Sequence, residues 1–476
     1  MQLVWFRQDL RLVDHPALHA AVQQARAQGE AVEAVFVISR AQWRHHHMAS
    51  LRERFLLERL DVLGAELARR GIRLHLIEAP WFAEVPAALT ALVRERGATA
   101  LHAMSAIEVD ERRRDEAVSA HLSVPCRFVP GCCVLPPGRV LTGKGEPFKV
   151  FTPFSRAWLR EIAAHGYSLY RAPEPMGAPL DWLPLSLPAR SEHETRTLRD
   201  WPVHEGAAEA RLREFIDDAV LEYGARRDLP AEPGTSRLSA YLAAGILSPR
   251  QCLAALHSRL GRLPLARDEP GFAWLNELIW REFYRHLLAL EPRLSMNQPF
   301  QLHTRALAWR HDEPAFAAWC EGHTGYPIVD AAMRCLKQTG WMHNRLRMIV
   351  ASFLTKDLHL SWRRGEAYFM SQLIDGDLAA NNGGWQWAAG TGADAAPYFR
   401  VFNPTTQGQK FDPRGDFIRR WVEELADVPA ACIHTPHDWL RRKGDEAYPS
   451  PMVDHAVARL QAIAMFRQLP TGGDET

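Results

Sequence analysis

The feature that most narrows the folds open to this chain is a change of hydrophobic period part-way along it. Up to about residue 130, short apolar runs alternate with stretches of helical periodicity. The runs 3–6, 32–38, 74–77, 100–104 and 127–129 are mostly apolar without a polar alternation, as strands covered on both faces are. Between them, 16–28, 51–70, 85–96 and 111–122 repeat apolar side chains at helical spacing. The alternation predicts a parallel sheet with helices on both faces, a Rossmann-like α/β domain over 1–130. No GxGxxG follows the first run, so the dinucleotide fingerprint is absent and a ligand here is held in another way.

Residues 131–202 lose this pattern. Glycines and prolines from Gly131 to Pro188 punctuate a long connector with one short helical stretch near 155–164. From 203 to 476 the strand period is gone. Helical periods cover 207–223, 237–244, 249–260, 272–290, 315–322, 328–339, 344–358 and 365–374, which predicts a second, all-α domain.

Composition excludes several classes. With 47% hydrophobic and 24% charged residues, extended disorder is ruled out. Lys and Arg total 57 against 56 Asp and Glu, so any anion-binding surface must be a patch assembled by folding. Seven cysteines with no CxxC spacing point to a reducing, cytoplasmic setting without a disulfide framework. The start, MQLVWFRQDLRL, has no apolar signal core, and no apolar window is long enough for a membrane span. Ten of the 16 tryptophans fall between Trp274 and Trp439. Such a cluster fits a bulky core, a stacking pocket or a path for electrons.

Four segments could carry chemistry. WLNELIWREFYRHLL places Trp274, Glu277 and Arg281 on one helix face with Trp280 beside it. It reads either as an amphipathic helix with a Glu277–Arg281 pair or as a pocket wall with a desolvated acid between indoles. WMHNRLRM puts Asn344, Arg347 and Met348 on one face and turns Arg345 aside, so Arg347 needs a buried partner. DGDLAANNGGWQW supplies acids, Asp375 and Asp377, that also fit as caps of a following helix, and Gly383–Gly384, where backbone could approach a ligand. In PGTSRLSAYL, hydroxyls at the start of a helix suit either an N-cap or a phosphate. His45–His47 are consecutive and rarely converge on one ion, so no metal site is expected. GKGEP lacks the phosphate-loop spacing.

Together, WFRQDLRL, PGTSRLSAYLAAG, NELIWREFYRHL, GYPIVDAAMRCLKQTGWMHNRLRM and DGDLAANNGGWQWAAGTGADAAPYFRVFNPTTQGQKFD resemble the photolyase/cryptochrome family over almost the whole chain. The resemblance is strongest to class I cyclobutane pyrimidine dimer photolyases. It implies an N-terminal α/β antenna domain, a connector and a helical domain holding FAD. Tyr223, Thr235, Ser236, Leu238 and Ser239 would meet the FAD phosphates and ribityl chain. Trp274, Glu277 and Arg281 would lie beside the flavin cavity, with Asn344, Arg347, Asp375 and Asp377 along the bent cofactor. Arg347 and Asp375 would form a buried pair, and Asn381 would face the ring nitrogen that gains or loses a proton.

For the lesion, the resemblance implies a pocket of Glu277, Asn344, Met348, Trp280 and Trp387, the indoles stacking on the flipped dimer. Arg227 and Arg345 would contact phosphates. The catalytic roles fall to Glu277, Asn344 and Asn381, and an electron path to Trp309, Trp362 and Trp385. His46, Asp110 and Glu111 match positions near an antenna, 5,10-methenyltetrahydrofolate being the expected one. Asp110 stands where Asn is common, and Ser295–Met296 where a Cys–Lys pair is familiar.

The implied partner is ultraviolet-damaged DNA, bound by a monomer. A blue-light-sensing cryptochrome is the main alternative. Asn381 and the short tail after Phe466 favour the repair enzyme. A (6-4) photolyase would place a His pair at the lesion side, where this chain has Asn344 and Met348. A single-strand-restricted DASH-type cryptochrome is a further alternative. Outside the family, the fallback is a flavoprotein or nucleotide-binding module without a DNA role.

Overall fold

Five strands form where the apolar runs lie: β1 (Gln2–Phe6), β2 (Val32–Ile38), β3 (Arg73–Glu78), β4 (Ala100–Met104) and β5 (Cys126–Val129). The computed structural model describes residues 1–185, 194–204 and 206–469. Pro188 and the tail beyond 469 lie outside the described residues. The sheet order is β3-β2-β1-β4-β5, and every pairing is parallel. Phe6 stands opposite Phe36, and Trp5 opposite Ala103. Alternate side chains leave opposite faces of a strand. Leu3, Trp5, Val35 and Val37 therefore enter one core, while Val4, Phe6, Ala34 and Phe36 enter another.

Local chemistry sets the crossover helices. His15 Nδ1 accepts from Leu18 N at 3.0 Å to cap the helix Pro16–Gln28, and Gly29, at φ 65°, ends it. The helix Arg40–His45 carries no apolar period, because Gln42 alone of its six residues is buried.

The core under the second sheet face continues into the helices Phe151–His165, Ala207–Asp218, Pro249–Leu260 and Phe272–Leu290. Phe272–Leu290 is the spine of this assembly. Its Glu282 is fully buried and accepts from Val134 N, Leu135 N and Trp158 Nε1, which fixes the connector to the helix. A further core is enclosed by helices that include Pro327–Thr339, Asn344–Ser352, Trp362–Gln372 and Leu378–Ala389.

Among the described residues, several segments differ from the periodicity. The helix expected over 344–358 ends at Ser352 and widens into a π turn, Phe353–Asp357. The helix expected over 237–244 is a single turn, Ser239–Ala243. The Asn- and Gly-containing stretch after Asp377 is itself a helix, Leu378–Ala389, with Asp377 as its N-cap, accepting from Ala380 N at 3.0 Å. Among the described residues, no helix is long and apolar enough to cross a membrane.

Candidate functional site

In a doubly wound sheet, ligands bind outside the carboxyl ends of the strands, where the strand order reverses. Here the order reverses between β1 and β4, and a cavity of about 430 Å³ opens there. Arg7, Gln8 and Asp9 after β1, Ser39 after β2, and Ser105 and Glu108 after β4 form one side. Arg285, Ser295, Glu366 and Gly376 close it from the helical half. His46, Asp110 and Glu111 meet in its wall: His46 Nε2 lies 3.1 Å from Asp110, and Nδ1 lies 3.7 Å from Glu111. Burial pushes the Glu111 carboxyl up to about 7, the Glu108 charge adds to this, and Arg114 opposes it. Arg114 lies over the rings of Trp5 and Phe82. Ser295 lines the cavity with a buried hydroxyl that has no partner among the described residues, whereas Met296 is exposed outside it.

The other expected site residues lie on the helical half. Glu277 and Arg281 part company there. Glu277 Oε1 accepts from Arg227 at 2.6 Å, whereas Arg281 donates to the Cys132 carbonyl at 3.0 Å. The Glu277–Arg281 pair that helical spacing offers is therefore replaced by one across fifty positions. Burial raises the Glu277 pKa, and Arg227 opposes the rise. Arg227 also lies over the Tyr223 ring. Trp274 is buried, tilted against Phe215, which meets Tyr223 edge-on. Trp280 stacks on Phe151 with centroids 3.6 Å apart and planes 7° apart. Trp387 lies half-buried near Phe402.

Arg347 donates to both oxygens of Asp375, at 2.8 and 3.0 Å, so this expected pair is present. Arg345 pairs with Asp228 at 2.9 Å and reaches Met348 Sδ at 3.7 Å. Its contact with Met348 puts it on the same side as the residues from which spacing turns it away. Asp377 caps its helix and also pairs with Arg285. Burial alone would raise its pKa, but Arg285 and then Arg281 hold it below the ordinary aspartate value. Gly383 does not approach a ligand: a Cβ there would stand 2.2 Å from the Tyr284 ring. Gly384 faces open space.

A second group keeps polar atoms unclaimed. The side chains of Thr235, Ser236 and Asn344 take no hydrogen-bond partner among the described residues. Leu238 is buried before the one-turn helix, and Ser239 Oγ accepts from Trp341 Nε1 at 3.3 Å. Asn381 donates its amide to the Glu366 carbonyl at 3.0 Å, which leaves Oδ1 free to accept. Fixed cations and acids in pairs, beside free hydroxyls and amides, suit a polar, phosphate-bearing cofactor. Glu366 stands both in the cavity wall and behind Asn381, so the two sites share it.

Trp385 is nearly enclosed, its ring in a slot that Gly365 leaves, where a Cβ would stand 2.1 Å from it. Trp362 is fully buried on the neighbouring helix. Trp309 is half-buried, and a parallel bridge from Arg310 to Leu360 brings its segment beside Trp362. Trp319, which spacing did not single out, meets Trp385 edge-on at 6.0 Å. Sequence reasoning also missed Asp228, Arg285, Phe151 and Glu366. Their partners are far away in the chain, and no local motif marks them.

Sequence comparison gives these positions a context. The family model described as "DNA photolyase" matches residues 2–176, and that described as "FAD binding domain of DNA photolyase" matches residues 274–468. The chain is 48% identical over 478 residues to the deoxyribodipyrimidine photo-lyase of Salmonella typhimurium, covering 99% of each. It is 48% identical over 477 residues to the Escherichia coli (strain K12) protein of that name, again over 99% of each. A solved class III photolyase from Agrobacterium tumefaciens superposes with a TM-score of 0.82 at 37% identity, over 98% of this chain and 97% of that one. A cryptochrome from Synechocystis superposes at 0.84 with 27% identity, over 97% of this chain and 98% of that one.

Proposed function

The chain belongs to the photolyase/cryptochrome family, with the class I cyclobutane pyrimidine dimer photolyases, and from this premise we propose how its residues carry the reaction. The activity is light-driven DNA repair, a lyase reaction that splits cyclobutane pyrimidine dimers, and FAD is the cofactor. When bound, reduced and excited FAD supplies the electron that opens the cyclobutane ring and takes it back. The chain's own residues bind, orient and exclude water.

The free hydroxyls of Thr235 and Ser236, with Tyr223, Leu238 and Ser239, hold the phosphate side of the cofactor. Arg347 and Asp375 would fix charge beside its ring, with Asp377, Arg281 and Trp274 around it, and Asn381 Oδ1 would accept a hydrogen bond from the ring N–H without itself taking or supplying a proton. Asn344 and Met348 floor the lesion pocket, and Trp280 and Trp387 stack on the flipped bases. The observation that carries this reading is the Arg227–Glu277 pair. A DNA phosphate that draws Arg227 away removes the main charge opposing burial at Glu277 and leaves burial and the Asp228 charge against a hydrogen bond from Asn276. That favours its neutral form, which can donate a hydrogen bond to a dimer carbonyl. Arg345 makes the matching phosphate contact by leaving Asp228. Binding is therefore salt-sensitive despite a net charge of +1.

The reading extends to three finer points. His46, Asp110 and Glu111 hold a 5,10-methenyltetrahydrofolate antenna in the cavity at the end of the sheet, and Ser295 offers its unpaired hydroxyl to it. Trp309, Trp362 and Trp385 carry electrons inward from the surface. The working unit is a single chain in a reducing, cytoplasmic setting, since both walls of the cavity belong to one chain and all seven cysteines are free.

The test is repair of ultraviolet-irradiated oligo(dT), in light and in darkness, by the wild type and by Glu277→Ala. Wild type should remove dimers only in light. Glu277→Ala should keep its FAD and repair fewer dimers per absorbed photon, though not none, because stacking and electron donation survive. An unchanged yield in the variant would reduce Glu277 to a partner for Arg227.

A further inference from the structure

The connector enters the cavity wall through two adjacent cysteines, Cys132 and Cys133, whose sulfurs lie 3.7 Å apart. They belong neither to the cofactor-binding residues nor to the lesion pocket. Cys132 is half-buried and lines the cavity, while Cys133 is 3% exposed behind it. Their backbone is held firmly. Arg281 donates to the Cys132 carbonyl and Arg250 to the Cys133 carbonyl, each at 3.0 Å, and Glu282 accepts from the next two backbone N–H groups. Gly131 presses so closely on Met104 that a Cβ would stand 2.1 Å from its sulfur.

We propose that Cys132 and Cys133 form a thiol-oxidation site, in which a hydroperoxide reaching the cavity converts Cys132 to a sulfenic acid and Cys133 closes it to a vicinal disulfide. Geometry supplies the three requirements: a sulfur open to the cavity, cationic surroundings that favour its thiolate, and a second sulfur within reach. Hydrogen bonding from Cys133 lowers the Cys132 pKa to about 6, and Arg285 and Arg281 reinforce the shift against burial. The same contact, with burial, pushes the Cys133 thiol up, so it serves as the proton-bearing partner.

The chemistry balances without a further reactant. The Cys132 thiolate attacks a peroxide oxygen, the O–O bond breaks, and the departing hydroxide takes a proton to leave as water. Cys133 then attacks the sulfenyl sulfur, the S–O bond breaks, and the hydroxyl leaves with the Cys133 proton as a second water. The peroxide gains two electrons and the thiol pair loses two. The sulfurs must close from 3.7 Å to about 2 Å.

The experiment uses the purified holoenzyme and hydrogen peroxide, followed by alkylation, digestion and mass spectrometry. The peptide carrying both cysteines should lose two hydrogens, reversibly with dithiothreitol, while half-buried Cys126, whose pKa burial raises, stays reduced. Without peroxide, at pH 7, iodoacetamide should alkylate Cys132 about tenfold faster than Cys126, because its thiolate fraction is far larger. Cys133→Ser should stop at a sulfenic acid that dimedone captures, and Cys132→Ser should leave Cys133 reduced. The proposal is overturned if the wild-type peptide keeps both hydrogens, if Cys132 alkylates no faster than Cys126, or if Cys133 oxidises without Cys132.

Discussion

Glu366 is a carboxylic acid with almost no water around it. It is 4% exposed, accepts from the Asn382 amide at 2.9 Å, and supports Asn381 through its own carbonyl. Burial pushes its pKa up to about 7, and the Asn382 donor opposes the rise without cancelling it. In the unfolded chain the carboxyl ionises near its ordinary value of about 4.5, while the folded protein keeps the proton until about 7. Its contribution to stability is thus fully present below about 4.5 and is lost as pH rises through 7. Glu366→Gln keeps an acceptor for Asn382 and removes the titration. Relative to wild type, the variant should gain up to about 3 kcal/mol between pH 4.5 and 8, read as the difference in thermal unfolding across that range. Parallel pH profiles for the two proteins would mean that the carboxyl is hydrated and charged. Glu277 is also raised by burial, but its partner Arg227 makes it the acid whose state a ligand can change.

At the scale of elements, the helix Leu378–Ala389 packs closely on two neighbours, Trp362–Gln372 and Phe272–Leu290, because a glycine lets it at each contact. Gly365 admits the Trp385 ring, and Gly383 admits Tyr284 from Phe272–Leu290. Gly365→Ala should cost about 1–3 kcal/mol by overpacking and displace Trp385, lowering both the melting temperature and the rate of blue-light reduction of the flavin. Trp385→Phe keeps the ring and most of the packing, so stability should change by no more than about 2 kcal/mol. It should nonetheless fail to photoreduce oxidised flavin, yet repair dimers normally once reduced by dithionite. Normal photoreduction in that variant would remove Trp385 from the electron path. The same helices show what a sequence conceals. Strands β1 to β5 and Phe272–Leu290 were legible because their own apolar residues carry the period. Leu378–Ala389 is less legible, because AANNGG carries none. Its helix is held by packing on Tyr284 and by the Asn382–Glu366 bond, which no local spacing reveals. For the same reason Glu277 was offered Arg281 at one helical turn, when its partner, Arg227, comes from another helix end.

Across the whole molecule, one apolar core runs from the sheet into the helical half, and Glu282 ties the connector between them to the spine helix. Glu282→Ala strands the Val134 and Leu135 N–H groups in an apolar interior. It should cost about 3–5 kcal/mol, as expected when a buried charged hydrogen-bond partner is removed. Because the core is shared, that loss should appear as one transition, with tryptophan fluorescence and flavin release shifting together on heating. Two separated transitions, only one of them moved, would mean that the halves unfold independently. The cavity at the end of the sheet has walls from both halves. Whatever sits there binds only the assembled chain, so by mass action its free concentration raises the melting point of the entire molecule. At a hundred times its dissociation constant, an occupant would add about 2.7 kcal/mol to a fold it does not belong to. The light-gathering ligand would then double as a thermal brace, and its depletion would register as fragility before it registered as slower repair in dim light.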